Sequence, residues 1–86
     1  MNKSRDTEKI PPEARFIFGR NFRHARRAAE LTQRDVTRIT GVMRGYISKV
    51  ECGKVSISVD KMEILANAVK VPLWKLLTPI TTDNDK

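Results

Sequence analysis

The 86-residue sequence predicts an all-α fold, a compact unit of five short helices. Apolar residues recur at helical spacing in several segments, and Gly or Pro separates one segment from the next. No segment shows the strict alternation of apolar and polar residues that a half-buried strand needs. We therefore expect one domain over residues 13–78, a flexible arm over residues 1–12 and a polar tail over residues 79–86.

The first predicted helix covers residues 13–29 and follows Pro11-Pro12. Residues before a proline avoid the helical region, so the arm is not expected to be helical. Pro12 itself suits the first position of a helix, where its missing N–H is no loss. One face of this helix collects the apolar side chains of Phe18, Phe22, Ala25 and Ala29.

The second predicted helix runs from Gln33 to about Thr40 and has clear boundary signals. Thr32 is a typical N-cap, and the negative charge of Asp35 in the first turn suits the helix dipole. Gly41 ends the helix where the chain must take a positive φ. Val36 and Ile39 are expected to point into the core.

The third predicted helix covers residues 44–52, and Gly53 ends it in the same way. Ile47 and Val50 form its apolar side. Its other side carries Arg44, Gly45, Ser48 and Lys49, which are small or hydrogen-bond-donating residues. A short helix preceded by a tight turn, with an internal glycine and such an outer face, indicates a surface that approaches a ligand closely.

Two more helices complete the predicted fold. Ser58 is the next N-cap candidate, and Asp60 lies in the first turn of the fourth helix. The apolar face of this helix consists of Met62, Leu65, Ala66 and Val69. Pro72 opens a last short helix, which Pro79 stops. In this last helix Leu73, Leu76 and Leu77 are expected to face inward.

The charge distribution points to a polyanionic partner. The chain holds 17 Lys or Arg and 10 Asp or Glu, a net charge of +7. Residues 13–54 contain ten basic and four acidic residues, whereas residues 55–86 contain four of each. The positive charge therefore coincides with the third helix and the chain before it, and the partner it indicates is nucleic acid or an anionic membrane. A membrane is the less favoured of the two, because only the first helix could place Trp or Phe opposite a stripe of Lys and Arg.

Several other functions are not expected from the composition. His24 and Cys52 are the single histidine and the single cysteine, too few ligands for a structural metal site. We find no nucleophile–base pair and no Gly-rich phosphate loop, so we expect no enzyme, no cofactor and no small-molecule ligand. No apolar run is long enough to span a bilayer, the N-terminus has no signal-peptide core, and we expect a cytoplasmic protein.

The stretch LTQRDVTRITGVMRGYISKVECGK resembles the helix-turn-helix of the Cro and phage-repressor family, also called the Xre family. The matching features are an Arg in the first helix, Thr-Gln opening the second, Gly at the turn, and Ile-Ser-x-hydrophobic-Glu-x-Gly closing the third. The later MEILANAVKVPLWKLL is similar to the usual end of the domain. The sequence departs from the family at Met43, where Ser or Thr is usual, at Thr37, where Ala is usual, and at Cys52.

The resemblance implies that the third helix enters the major groove of DNA and reads base edges. The expected base-contacting residues are Arg44, Gly45, Tyr46, Ser48 and Lys49. Arg44 can donate two hydrogen bonds to guanine O6 and N7, and Gly45 would let the backbone come close. Tyr46 is expected to reach a phosphate or a thymine methyl.

The resemblance also implies residues that contact phosphates and a pair that braces the recognition helix. Gln33, at the N-terminus of the second helix, contacts a phosphate in similar proteins. The other expected phosphate contacts are Arg34, Arg38 and Lys54, with Arg23 and Arg27 as further candidates. Arg26 and Glu51 occupy positions that form an ion pair between the first and third helices in similar proteins.

These features predict a small transcriptional regulator that binds a short inverted-repeat operator as a homodimer. Controllers of restriction–modification genes and phage repressors resemble it in size and layout. The nearly uncharged segment around Trp74, Leu77 and Ile80 is the expected dimer interface. The alternative is an antitoxin-like protein whose arm or tail binds a partner protein and which regulates its own operon.

Overall fold

Five α-helices account for most of residues 13–79, the part of the chain that this computed structural model describes. They are α1 (Glu13–Ala28), α2 (Gln33–Thr40), α3 (Arg44–Glu51), α4 (Val59–Ala68) and α5 (Leu73–Leu76). No strand occurs between residues 13 and 79, and the all-α prediction is confirmed. The predicted arm over residues 1–12 and the tail from Ile80 onward lie outside the described residues.

The hydrophobic core draws side chains from all five helices and from the turn between α2 and α3. Phe18 and Phe22 of α1 are fully buried, and their rings stack with centroids 6.1 Å apart. Burying aromatic side chains of this size contributes strongly to the stability of so small a domain. The core consists of Phe18, Phe22, Val36, Val42, Ile47, Val50, Leu65, Ala66, Val69 and Leu76.

The boundaries of α2 follow from its capping residues, as the sequence predicts. Thr32 Oγ1 accepts a hydrogen bond from the backbone N–H of Asp35 at 2.9 Å. In return, the backbone N–H of Thr32 donates to Asp35 Oδ2 at 2.8 Å, which completes a capping box. The pKa of Asp35 is lowered, most of all by the hydrogen bond from the backbone N–H of Thr32 and then by hydrogen bonds with the side chains of Thr32 and Arg38. Gly41 ends the helix with a φ of 83°.

The N-terminus of α3 has a weaker cap than that of α2. Met43 occupies the N-cap position and makes no side-chain hydrogen bond to the helix. A Ser or Thr hydroxyl there would satisfy one of the free backbone N–H groups of the first turn. The start of α3 is therefore held mainly by packing, through Val42 before it and Ile47 within it.

Asn21 is a buried polar residue in the middle of α1, and its amide group ties α1 to α5. Asn21 Nδ2 donates to the carbonyl oxygen of Leu76 at 2.9 Å and to that of Thr78 at 2.8 Å. Both carbonyls lie at the C-terminal end of α5, where helical partners run out. A single side chain thus fixes the last helix against the first.

Three inward-facing expectations are wrong. Ile39 is 59% exposed, because α2 turns Val36 inward and places Ile39 at its edge, beside Ile64. Ala29 is exposed because α1 ends at Ala28 and the chain then turns through Glu30, which has a φ of 61°. Leu77 is 38% exposed because it follows the last residue of the four-residue helix α5.

Candidate nucleic-acid interface

α2, a three-residue turn and α3 form a helix-turn-helix. Thr40 Oγ1 in the last turn of α2 donates to the carbonyl oxygen of Val36 at 2.8 Å and accepts from the N–H of Val42 at 3.0 Å. Val42 is buried between the two helices, while Met43 is 71% exposed. The turn is thus held by one hydroxyl and one buried side chain, and these fix the angle between α2 and α3.

The outer face of α3 is exposed. Arg44, Gly45, Ser48 and Lys49 are exposed, whereas Ile47 and Val50 on the opposite side are buried. A Cβ atom built on Gly45 would meet no atom within 4 Å. Packing therefore does not require glycine at this position. The structure brings together four of the five residues that the sequence predicts to contact bases.

Tyr46, the fifth predicted base contact, has a different environment. Its hydroxyl donates to the carbonyl oxygen of Ser56 at 2.9 Å, and Lys61 Nζ lies 5.0 Å from the centroid of its ring. The side chain therefore leans towards the loop between α3 and α4. In this position the hydroxyl already has an acceptor, so the geometry favours a role in holding that loop.

Arg26 and Glu51 form a bidentate ion pair behind the recognition helix. Arg26 Nε and Nη2 donate to the two carboxylate oxygens of Glu51 at 2.7 and 3.1 Å. Arg26 Nη1 also donates to the carbonyl oxygen of Leu31 at 2.8 Å, and Gln33 Nε2 donates to Glu51 at 3.1 Å. The network connects α1, the α1–α2 turn, α2 and α3, and it orients α3 with planar, paired hydrogen bonds.

Gly19 allows α1 to come into direct contact with the C-terminal end of α3. A Cβ atom on Gly19 would collide with the carbonyl oxygen of Val50 and would lie 3.0 Å from that of Glu51. The role of Gly19 was not predicted from the sequence. The available signal was its place inside a predicted helix, where glycine costs about 1 kcal/mol relative to Ala and therefore needs a packing reason.

The predicted phosphate contacts fall into two groups. Arg34 and Lys54 are exposed and form no ion pair with another residue between 13 and 79. Arg38, in contrast, pairs with Asp35 one turn earlier, and the amide of Gln33 is partly engaged by Glu51. Arg34 lines one surface groove together with Arg44, Gln33 and Arg27, so the start of α2 and the start of α3 border the same surface.

The residues expected at a dimer interface lie at the other end of the chain. Trp74 in α5 is 66% exposed, and Leu77 immediately after α5 is 38% exposed. Ile80 lies outside the described residues. A large apolar side chain as exposed as Trp74 is available for contact with another molecule.

Residues 13–79 contain no group of three or more His, Cys, Asp or Glu side chains arranged to hold a metal ion. Among the same residues, every helix is too short or too polar to cross a membrane.

The amino-acid sequence of this chain is similar to a known domain family and to a known protein. Residues 17–73 match a family model described as a helix-turn-helix domain. The chain is 34% identical over 67 residues to the uncharacterized HTH-type transcriptional regulator y4dJ of Sinorhizobium fredii, and the match covers 78% of this chain and 87% of that protein.

The fold is also similar to those of solved structures. The restriction-modification controller protein C.AhdI from Aeromonas hydrophila superposes with a TM-score of 0.70 at 28% identity, covering 76% of this chain and 98% of that one. The hypothetical transcription factor NHTF from Neisseria gives a TM-score of 0.75 at 26% identity, covering 88% of this chain and 91% of that one.

Proposed function

Because this chain belongs to the Xre-like helix-turn-helix family of transcriptional regulators, we propose that it recognises a short inverted-repeat operator as a homodimer. The regulator would be of the restriction–modification controller or phage-repressor type. The similarity to C.AhdI, a restriction-modification controller protein, supports the first of these. Double-stranded DNA is the partner that the net charge of +7 favours.

The outer face of α3 carries this proposal. An α-helix fits the major groove, and the residues in its first turns reach the base edges. Arg44 and Gly45 occupy the first turn of α3, and Ser48 and Lys49 follow on the same exposed side. Arg44 has five donors in a planar fork and would pair with guanine O6 and N7. Gly45 would leave room for the backbone to approach the groove.

The residues proposed to contact phosphates lie in α2, before α3 in the chain, and just after the end of α3. The N-terminus of α2 offers free N–H groups and the positive end of the helix dipole to a phosphate, close to Gln33 and Arg34. Lys54 follows Gly53 at the other end of α3 and is exposed. Arg38 is the weakest of the proposed phosphate contacts, because Asp35 already compensates its charge.

A dimer is proposed because one recognition helix covers too few base pairs to mark a site among many competing sequences. Two copies related by a two-fold axis would double the site and require an inverted repeat. The exposure of Trp74 and Leu77 supports an interface at α5. Arg26 and Glu51 would hold each α3 at a fixed angle, which dimeric recognition requires if both helices are to enter successive major grooves.

The proposed reading of bases is tested by comparing Arg44→Ala with Lys54→Ala. A duplex enriched from a random library by the wild-type protein and a random duplex of equal length serve as ligands in a binding titration. Arg44→Ala is expected to lose about 1–3 kcal/mol on the enriched duplex and much less on the random one. Lys54→Ala is expected to weaken both equally and to reduce the salt slope by about one.

The exposed Lys70, remote from this surface in sequence, provides the control variant Lys70→Gln, which removes one positive charge. Equal losses for Arg44→Ala on the two duplexes would contradict a base-reading role for Arg44. Failure of the wild-type protein to enrich any motif would contradict sequence-specific recognition itself.

A further inference from the structure

The exposed side of α1 carries a row of basic residues, of which the sequence offered Arg23 and Arg27 only as further candidates for phosphate contacts. Arg20, Arg23 and Arg27 are exposed, and His24 lies among them. At 100° per residue these four positions fall within an arc of about 100° on the helix surface. Arg20, Arg23 and Arg27 form a continuous ridge about 10 Å long, which we call the arginine ridge.

The charge of the arginine ridge is not compensated within the described chain. The ion pairs between residues 13 and 79 are Arg26–Glu51 and Arg38–Asp35, and neither includes a ridge residue. Glu51 is the carboxylate that borders the same groove as the ridge, but both of its oxygens accept hydrogen bonds from Arg26 and Gln33. Three arginines therefore present their positive charge to whatever lies outside.

The arginine ridge is continuous with the outer face of α3. Arg27 lines one groove with Gln33, Arg34 and Arg44, at the start of the recognition helix. Arg23 and Arg27 line a second groove with Ser48 and Cys52, along its C-terminal half. Arg20 and His24 border a third groove of about 370 Å³ that again reaches Cys52. The ridge thus flanks α3 from its first turn to its end.

We propose that the arginine ridge binds backbone phosphates of the DNA strand that passes the C-terminal half of α3. The proposal rests on the function proposed above, in which α3 lies in the major groove. Guanidinium groups pair with phosphate oxygens through two parallel N–H···O bonds, and such contacts carry no sequence information. The ridge would add to affinity and to its salt dependence, while leaving base discrimination to Arg44 and its neighbours.

The test measures binding of a 30-base-pair random-sequence duplex by fluorescence anisotropy between 50 and 200 mM salt. Arg23→Gln and Arg27→Gln are each expected to flatten the slope of log Kobs against log salt by about 0.9. The ratio of the wild-type Kobs to the variant Kobs is therefore expected to be roughly 3.5-fold smaller at 200 mM salt than at 50 mM. The double variant is expected to flatten the slope by about 1.8. Lys70→Gln is the matched control that removes one charge elsewhere.

A second measurement separates this proposal from the proposed function. The ratio of affinities for a library-enriched duplex and the random duplex is expected to be the same in wild type and in Arg23→Gln/Arg27→Gln, because phosphate contacts are made to any sequence. Slopes of the ridge variants equal to the wild-type slope, or flattened no more than that of Lys70→Gln, would overturn the proposal. A wild-type protein that enriches no motif would overturn sequence-specific reading, and the slopes on the random duplex would still decide the role of the ridge.

Discussion

Thr37 places a polar group in a buried position without a partner for it. Its hydroxyl oxygen is buried and has no hydrogen-bond partner within residues 13–79. Similar sequences usually have Ala at this position, as noted from the sequence. A buried hydroxyl without a partner loses its hydrogen bonds to water and gains nothing in exchange.

Thr37→Val is therefore expected to stabilise the domain by about 1 kcal/mol, because it removes the hydroxyl and keeps the branched shape. Urea denaturation followed by circular dichroism measures the change. Thr37→Ser, which keeps the hydroxyl and removes the methyl group, is the control and is expected to lower stability. A loss of stability in Thr37→Val would show that the hydroxyl makes a favourable interaction in solution.

Two glycines inside helices respond to the same substitution in opposite ways. Gly19→Ala places a methyl group against the carbonyl oxygens of Val50 and Glu51, and overpacking of this kind costs about 1–3 kcal/mol. Gly45→Ala places it in open space and gains up to about 1 kcal/mol of helix propensity. Thermal unfolding of both variants checks the pair, and a destabilised Gly45→Ala would contradict the account of that position.

The predictable residues were those whose role follows from local chemistry. Thr32, Gly41 and Ser58 were identified as caps because capping depends on a few adjacent residues, and the structure confirms all three. Gly19 and Asn21 were missed because their partners, Val50 and Leu76, are far along the chain. The exposed face of α3 was predictable from periodicity, but the contact of Tyr46 with Ser56 depends on the path of the following loop.

At the scale of the elements, α2 and α3 are stabilised in different ways. The capping box of α2 is built from Thr32 and Asp35, whereas the N-cap of α3, Met43, makes no side-chain cap, and α3 depends on neighbouring helices. The Arg26–Glu51 pair and the close contact at Gly19 supply that support. The position of α3 thus depends on α1, as the resemblance implied for Arg26 and Glu51, whereas the contact at Gly19 was not predicted.

The capping box makes part of the stability depend on pH. In the folded protein the pKa of Asp35 is lowered, mainly by the hydrogen bond from the backbone N–H of Thr32 and further by hydrogen bonds with the side chains of Thr32 and Arg38. A lowered pKa means that this carboxylate stabilises the fold above its unfolded pKa of about 3.9. The contribution is lost as the pH falls through the lower, folded pKa.

Asp35→Asn is therefore expected to be less stable than wild type at pH 5, with the difference shrinking below about pH 4 as the wild-type carboxylate gains its proton. Urea denaturation at pH values from 5 down to 2 measures the difference. A gap between the two proteins that stays constant over this range would show that the charge of Asp35 does not contribute.

At the scale of the whole molecule, the exposed arginines and the residues proposed for the dimer interface lie in different parts of the chain. The helix-turn-helix and α1 hold the exposed arginines, whereas Trp74 and Leu77 are exposed at the end of the described chain. The all-α fold and its helix boundaries were predictable from the sequence because capping residues, Gly or Pro lie at the ends of the helices. The dimer interface was predicted only from the lack of charge around Trp74 and Leu77, because self-association depends on how two surfaces fit together and not on local signals.

Trp74→Ala tests the proposed dimer through α5. Burial of an aromatic side chain near the two-fold axis is expected to make it important for the association. Sedimentation at matched micromolar concentrations is expected to give a dimer for wild type and a shift towards monomer for the variant. Because Trp74 is 66% exposed in the single chain, the variant is expected to keep its fold, and circular dichroism checks this. A wild-type monomer at high concentration would contradict the proposal.

The central claim is that two copies of α3 read the two halves of an inverted repeat. Selection of bound duplexes from a random library by the wild-type protein, followed by sequencing, tests it most directly. The account predicts an enriched inverted repeat whose half-site centres lie about one DNA turn apart, roughly 34–36 Å or 10–10.5 base pairs. Enrichment of a single unrepeated motif, of half-sites with no fixed spacing, or of no motif at all would contradict it.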